Sequence, residues 1–310
     1  MTALLVPGWA GPLSQDFFRQ AFAAGTAAGV AAGLVGSFLV LRNQVFAGDA
    51  LGHVAFTGGL AALAFGFGAR TGVFSATVAV AVLLAVLGGR ARLDDVVTGV
   101  VFTWLLGLGV LFLSVFTSAR ATGNGAGAVR VLFGSIFGID AATAGQTAWI
   151  AAAVVAVMLF IGRPLLFASI DPRVAEARGV PVRVLNVVFL AAAGVMVAQL
   201  VQVVGALLLL GLITTPAATA QRLTGRPWRG MAASVAIAVA TVWAGLWLSY
   251  LRPSLPPSTS IIATGFAGWL AVEATARRRV DRGHRPATGE ERPFTGDPGR
   301  GASARASDPG

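Results

Sequence analysis

A carboxylate and an imidazole stand four residues apart in Gly48-Asp-Ala-Leu-Gly-His53. On a helix that spacing places Asp49 and His53 on one face, one turn apart. So placed, both can reach a single cation of the Mn, Fe or Zn type. Their neighbours Gly48, Ala50 and Gly52 are small enough to line a pathway. The pair stands out because the remaining ionisable groups fall elsewhere. Of the 13 acidic residues, five lie in the C-terminal tail, and Asp94 and Asp95 sit at a span entrance, where helix capping accounts for them. Asp16, Asp140, Asp171 and Glu176 lie in or beside loops, which leaves Asp49 and Glu273. Of the 2 histidines, His284 is in the tail. Ionisable groups inside a membrane span are costly and mark functional positions. The plainer alternative is that Asp49 caps its helix and His53 is a satisfied polar residue in the first turns.

Two further groups carry chemical potential. Gln199 and Gln202 precede Gly205 and the run Thr214-Thr215-Pro216-Ala-Ala-Thr219. Pro216 inside an apolar span removes a backbone hydrogen bond, a feature of transport pathways and of ordinary membrane-helix bends alike. The other group is Ser169-Ile-Asp-Pro-Arg-Val-Ala-Glu-Ala-Arg-Gly179. Asp171 can cap a short helix with Pro172 at its first position, and Gly179 can end it. Arg173, Ala175, Glu176 and Arg178 then belong to a charged helix of about two turns, which suits a docking element or an ordinary amphipathic connector.

The absences narrow the field. The chain contains no lysine, so it has no G-x-x-x-x-G-K-[ST] loop, and any ATP that drives it is hydrolysed by another polypeptide. It contains no cysteine, which excludes disulfides, thiol catalysis and thiolate metal sites. Neither GxSxG nor HExxH occurs. No catalytic residue set and no bound cofactor are expected.

The elements that must position these residues are membrane spans. Apolar residues make up 56% of the 310 and charged residues only 12%, too few to cover a soluble surface. Apolar blocks of about 20 residues imply spanning helices, because lipid leaves no partner for open backbone groups. The blocks fall at roughly 19–41, 50–68, 71–88, 95–117, 141–162, 184–202, 203–221, 230–251 and 258–276. The pair at 184–221 is nearly continuous, so eight spans is the alternative to nine. With the N-terminus outside, ten loop arginines fall inside and five outside, which favours N-outside and C-inside. The 40 glycines fit closely packed membrane helices. Residues 130–138 are too few to span and read as a short helix at the outer surface or dipping into the membrane. The expected organisation is an extracytoplasmic segment at 1–18, a transmembrane domain at 19–276 and a disordered cytoplasmic tail at 277–310. The net charge of +10 comes from arginines between spans and in the tail; it suits anionic lipid headgroups and argues against nucleic acid.

Four stretches together resemble the ABC-3 family of zinc, manganese and iron permeases. Val40 to His53 resembles its VLR…GDALSH stretch, and Asp171 to Pro181 its DPxxAxxxGxP coupling loop. Gln202 to Ala220 is similar to its QxxGxLL…TPAATA stretch, and Leu132-Phe-Gly-Ser135 to its LFGS element. Order and spacing agree from about 20 to 275. The sequence departs at Gly52, where the family has Ser, and at Thr57-Gly58, where it has Pro-Gly. The missing proline leaves room for a straighter second span and altered gate geometry.

The resemblance implies an all-α polytopic membrane protein, a bundle of 8–9 transmembrane helices of the ABC type II importer permease kind with a short cytoplasmic coupling helix. It implies a multi-pass plasma-membrane permease subunit of an importer for a divalent transition metal, zinc, manganese or iron. Two ATPase subunits would dock on residues 171–179, an extracytoplasmic solute-binding protein would deliver the ion, and the permease would pair with itself or with a paralogue. Asp49 and His53 match the family positions implicated in metal passage, with Gln199, Gln202, Thr214, Thr215 and Pro216 lining the pathway. Protonation of His53 would weaken metal binding as pH falls. Three rivals stand beside this reading. A secondary transporter would show inverted repeats with paired broken helices, and an intramembrane enzyme would need more polar catalytic groups. An import permease for siderophores or vitamins is nearer, and the coupling loop and the Asp/His pair favour metal over it.

Overall fold

The computed structural model describes residues 15–88, 95–119, 134, 136–206 and 209–283. Among them the protein forms ten α-helices and no strand. The first five are α1 (Asp16–Leu41), α2 (Val45–Ala64), α3 (Ala69–Leu87), α4 (Asp95–Ala119) and α5 (Ala141–Ile170). The short α6 (Pro172–Ala177) follows, then α7 (Val182–Val203), α8 (Leu209–Leu223), α9 (Pro227–Leu251) and α10 (Pro257–Gly283). Apart from α6, each corresponds to one of the nine expected spans. Seven are long and apolar enough to cross a membrane. With 15 residues, α8 is about 22 Å long, shorter than a hydrocarbon core of about 30 Å.

Helix contacts fix the directions. Gly25, Gly29 and Gly33 of α1 meet Val242, Ala238 and Val235 of α9 in reverse order, so the two run antiparallel. Gly58 of α2 and Gly72 of α3 lie so close that neither has room for a Cβ. Small residues allow such backbone approach, and dispersion rewards it. The helices α1 and α7 lie at the centre, with Phe38 and Phe189 side by side in the main core. By contrast, α4 packs chiefly on α2 and leaves most of its surface uncovered.

The bundle therefore has two ends. At one, α1 passes to α2, and α5 reaches α7 through α6. At the distal end, Phe17, Phe18, Phe22, Phe137, Trp243, Trp247 and Tyr250 form an aromatic cluster. Trp and Tyr favour the zone between hydrocarbon and water.

Several boundaries move from the sequence expectation. The second span begins at Val45 rather than near 50, because Gln44 opens the helix straight after a tight turn. The seventh begins at Leu209, after a break at Gly205, whose φ of +98° suits a residue without a Cβ. α5 has 30 residues and runs through Arg163 and Pro164 to Ile170. α10 continues to Gly283, past the expected boundary at 276. Of the expected short outer helix at 130–138, Ile136–Gly138 is a 3-10 turn, and most of the remainder lies outside the described residues. The segments before 15 and after 283 also lie outside them.

Candidate functional site

Asp49 and His53 share one face of α2, each half-buried. Asp49 is the fifth residue of the helix, and Gln44 holds the N-cap position. A capping role for Asp49 is thereby removed, because a cap must reach the free N–H groups of the first turn. At 1.5 Å per residue, Asp49 lies about 6 Å and His53 about 12 Å along the axis from the start of α2. Asp49 lines a recess with Asn43, Val45, Phe46 and Leu210. The His53 ring meets Phe102 of α4 edge-on, with centroids 5.1 Å apart. Phe102 also packs against Phe46, so α4 walls one side of the pair. One turn beyond His53, the Thr57 hydroxyl donates to the Leu105 carbonyl at 3.2 Å and ties α2 to α4. Where the family has Pro-Gly, Thr57 supplies an interhelical bond and Gly58 the close approach to α3.

Among the described residues, no three of His, Cys, Asp and Glu gather. One copy of the chain offers Asp49 and His53, an oxygen and a nitrogen donor suited to Mn, Fe or Zn.

The polar residues expected along the later spans separate into two places. Gln199 is buried, and its Nε2 donates to the Thr147 hydroxyl at 2.7 Å. Gln202 donates to the Ala198 carbonyl at 3.3 Å. Both line a cavity of about 380 Å³ at the distal end, with Arg70, Asp140, Thr143 and Thr147. Leu63 lines it too, fourteen residues past Asp49 and so about 21 Å along α2. The glutamines are therefore not brought to the Asp/His pair. The Asp140 side chain caps α5 through the Thr143 amide. A hydrogen bond from the Thr143 side chain, with help from its amide and from Arg70, holds the Asp140 carboxyl below the usual range.

Thr214, Thr215 and Pro216 sit on α8, which stays continuous through the proline. The Thr214 hydroxyl folds back onto the Leu210 carbonyl at 2.7 Å. Leu210 lines the Asp49 recess and Thr214 follows one turn later, so the start of α8 flanks the pair. Glu273, the other acid left over by the sequence, forms an ion pair with Arg222 at 3.6 Å and joins α10 to α8.

The 171–179 segment folds as its residues require. Asp171 Oδ1 accepts from the Val174 N–H at 3.0 Å, and Pro172 stands in the first turn. Gly179 adopts φ +80°, and the Val180 N–H closes the helix on the Ala175 carbonyl at 3.0 Å. Ala175 is wholly buried against Ala168 and Val182, while Arg173, Glu176 and Arg178 are exposed. A buried polar contact lies beside this element. Arg42, one of the ten loop arginines assigned to the inside, is only 3% exposed and bonds Asn186. Nothing in the local pattern distinguishes a buried arginine at a span end from an exposed one.

Apolar helices run end to end around a half-buried Asp/His pair, with a capped helix at one end of the bundle; this is a multi-pass helical membrane protein. The chain belongs to the ABC 3 transport family, whose model matches residues 14–273. The manganese transport system membrane protein MntC of Halalkalibacterium halodurans is 27% identical over 240 residues, which cover 77% of this chain and 80% of that protein. A probable iron transport system membrane protein of Haemophilus influenzae is also 27% identical over 240 residues, covering 77% and 83%. Among solved structures, PsaBC from Streptococcus pneumoniae in complex with Fab has the same fold, with a TM-score of 0.72 at 22% identity over 84% of this chain and 92% of that one.

Proposed function

We propose that this protein is the permease subunit of an ATP-driven importer for a divalent transition metal ion, with manganese, zinc or iron as cargo. The observation that carries this reading is the half-buried Asp49/His53 pair on one face of α2, in a chain of the ABC 3 transport family. The names of the manganese and iron relatives support the cargo class. The protein itself hydrolyses nothing. Separate ATPase subunits dock on α6 through the exposed Arg173, Glu176 and Arg178. The α6 end is cytoplasmic, the C-terminus with it, and a solute-binding protein delivers the ion at the distal end.

A second copy, or a paralogue, completes the pathway. The open face of α4 presents Gly99, Thr103 and Gly107 at intervals of four, with free space where a Cβ would stand at both glycines. Ionisable groups cannot face hydrocarbon cheaply, so the partly exposed Asp49 and His53 beside this face need protein cover. A facing copy supplies that cover and a second Asp/His pair. Movement of α2 and the start of α8 then exposes the ligands first to one side of the membrane and then to the other.

The test is whole-cell Mn, Zn and Fe content in a metal-starved deletion strain carrying wild type, His53→Ala or Asp49→Asn at equal membrane abundance. Wild type is expected to restore one metal and both variants to fail. If no metal depends on the gene, the cargo reading is wrong.

A further inference from the structure

Arg42 sits at the α6 end of the bundle and is only 3% exposed. A guanidinium keeps its charge at any ordinary pH, so when buried it must be held by specific partners. Its Nη2 donates to Asn186 Oδ1 at 2.9 Å, and its Cζ lies 5.3 Å from the centre of the Phe189 ring. Both partners belong to the first turns of α7. Asn186 stands one turn beyond Val182, and Val182 packs with Ala175 of α6 and Ala168 of α5. A continuous set of contacts thus runs from α6 through the start of α7 to Arg42.

On its other side, Arg42 leads into the helix that carries the Asp/His pair. The turn is short and tight. Asn43 holds φ +54°, the Asn43 N–H donates to the Val40 carbonyl at 3.1 Å, and the Gln44 N–H donates to the Leu39 carbonyl at 2.8 Å. This is the doubly bonded helix ending that fixes the exit direction of a chain. Helix α2 begins at the next residue, Val45, so no slack separates Arg42 from Asp49. Gln44 is 3% exposed, and neither polar atom of its side-chain amide has a hydrogen-bond partner among the described residues. A buried amide is costly to leave without partners.

We propose that Arg42 is a positioning residue that transmits movement of α6 to the Asp49/His53 helix, by way of Asn186 and the 42–44 turn. The proposal rests on the permease reading above. When an ATPase shifts α6, the start of α7 moves with it through Val182. Asn186 then displaces Arg42, and the rigid turn converts that displacement into a tilt of α2.

The chain has no cysteine, so introduced labels report from single sites. Spin labels at Phe46→Cys on α2 and Ala177→Cys on α6, a position exposed but outside the docking residues named above, are placed in the assembled permease–ATPase complex, with and without Arg42→Met. The distance between them is measured nucleotide-free and ATP-trapped. A nucleotide-dependent change is expected in the parent complex and not in the Arg42→Met complex. In proteoliposomes, ions imported per ATP hydrolysed should fall about fivefold or more, the scale of an allosteric coupling. Asn186→Leu should reproduce both effects. An undiminished distance change in Arg42→Met overturns the proposal. So does a loss of transport and ATP hydrolysis in equal proportion, which would mark a role in folding only. If labels in the parent complex move but the unlabelled wild-type complex imports no divalent metal, the cargo reading fails and the transmission by Arg42 stands.

Discussion

Asp49 lies in the fifth position of α2, where no free backbone N–H needs it, and among the described residues it makes no side-chain bond that would hold its helix together. Asp49→Asn should therefore leave thermal stability within about 0.5 kcal/mol of wild type, as for surface substitutions that break no named interaction, while abolishing uptake. A large fall in melting temperature would show that its role is structural. Gln199 invites the reverse comparison. Its Oε1 is buried without a partner, while Thr147 keeps its own bond to the Thr143 carbonyl at 2.8 Å. Gln199→Met should cost less than about 1 kcal/mol, because it removes an unsatisfied acceptor together with one bond. A loss above about 2 kcal/mol in a denaturation series would reveal a solvated network that depends on the amide. Asp140 adds a pH dependence. Its folded-state pKa is lowered, so its contribution is present above the ordinary carboxylate range and is lost as pH falls through the lowered value. Melting curves of wild type and Asp140→Ala should differ at neutral pH and converge on acidification; a gap that persists in acid would exclude this account.

At the scale of elements, α6 depends on its two ends. With only six residues it cannot persist by helix propensity, and the Asp171 cap, the Gly179 closure and the burial of Ala175 set its position. Gly179→Ala forces a Cβ into a left-handed conformation, at a cost of about 1–2 kcal/mol local to this helix. The expected outcome is weaker ATPase binding in a pull-down, with the global melting temperature nearly unchanged. Wild-type ATPase binding by this variant would remove α6 from the docking surface. The helices α2 and α3 depend on a different device, the contact between Gly58 and Gly72, which lets their backbones meet where larger side chains would hold them apart.

At the scale of the whole molecule, α4 and α5 each leave a face uncovered among the described residues. α4 exposes Val100, Trp104, Val110 and Leu111 around its row of small residues. α5 exposes Trp149 and Phe160, bulky groups suited to lipid. If the first face meets a second copy and the other meets lipid, Thr103→Cys should form a disulfide-linked dimer in native membranes and Trp149→Cys should not. Equal crosslinking at both positions would exclude α4 as the contact between copies.

The arrangement of apolar blocks was legible in the sequence, because a segment in hydrocarbon must satisfy its backbone internally and so declares itself by length and composition. The nine blocks became nine helices, and Asp171, Pro172 and Gly179 announced α6, since caps act within a few residues of chain. The Asp49/His53 pair was legible for the same reason: a spacing of four is a local property of a helix. Depth and partnership were decided elsewhere. Whether Asp49 capped its helix turned on where α2 begins, which the tight turn at Arg42–Gln44 sets. Gln199 and Gln202 lie at the distal cavity, away from Asp49, because α2 and α7 both start at the α6 end, and the glutamines stand near the far end of α7 while Asp49 stands in the second turn of α2. The burial of Arg42 against Asn186, 144 positions away, has no local signature. Only tertiary packing brings such residues together, because the energy that places them belongs to the bundle and not to either segment.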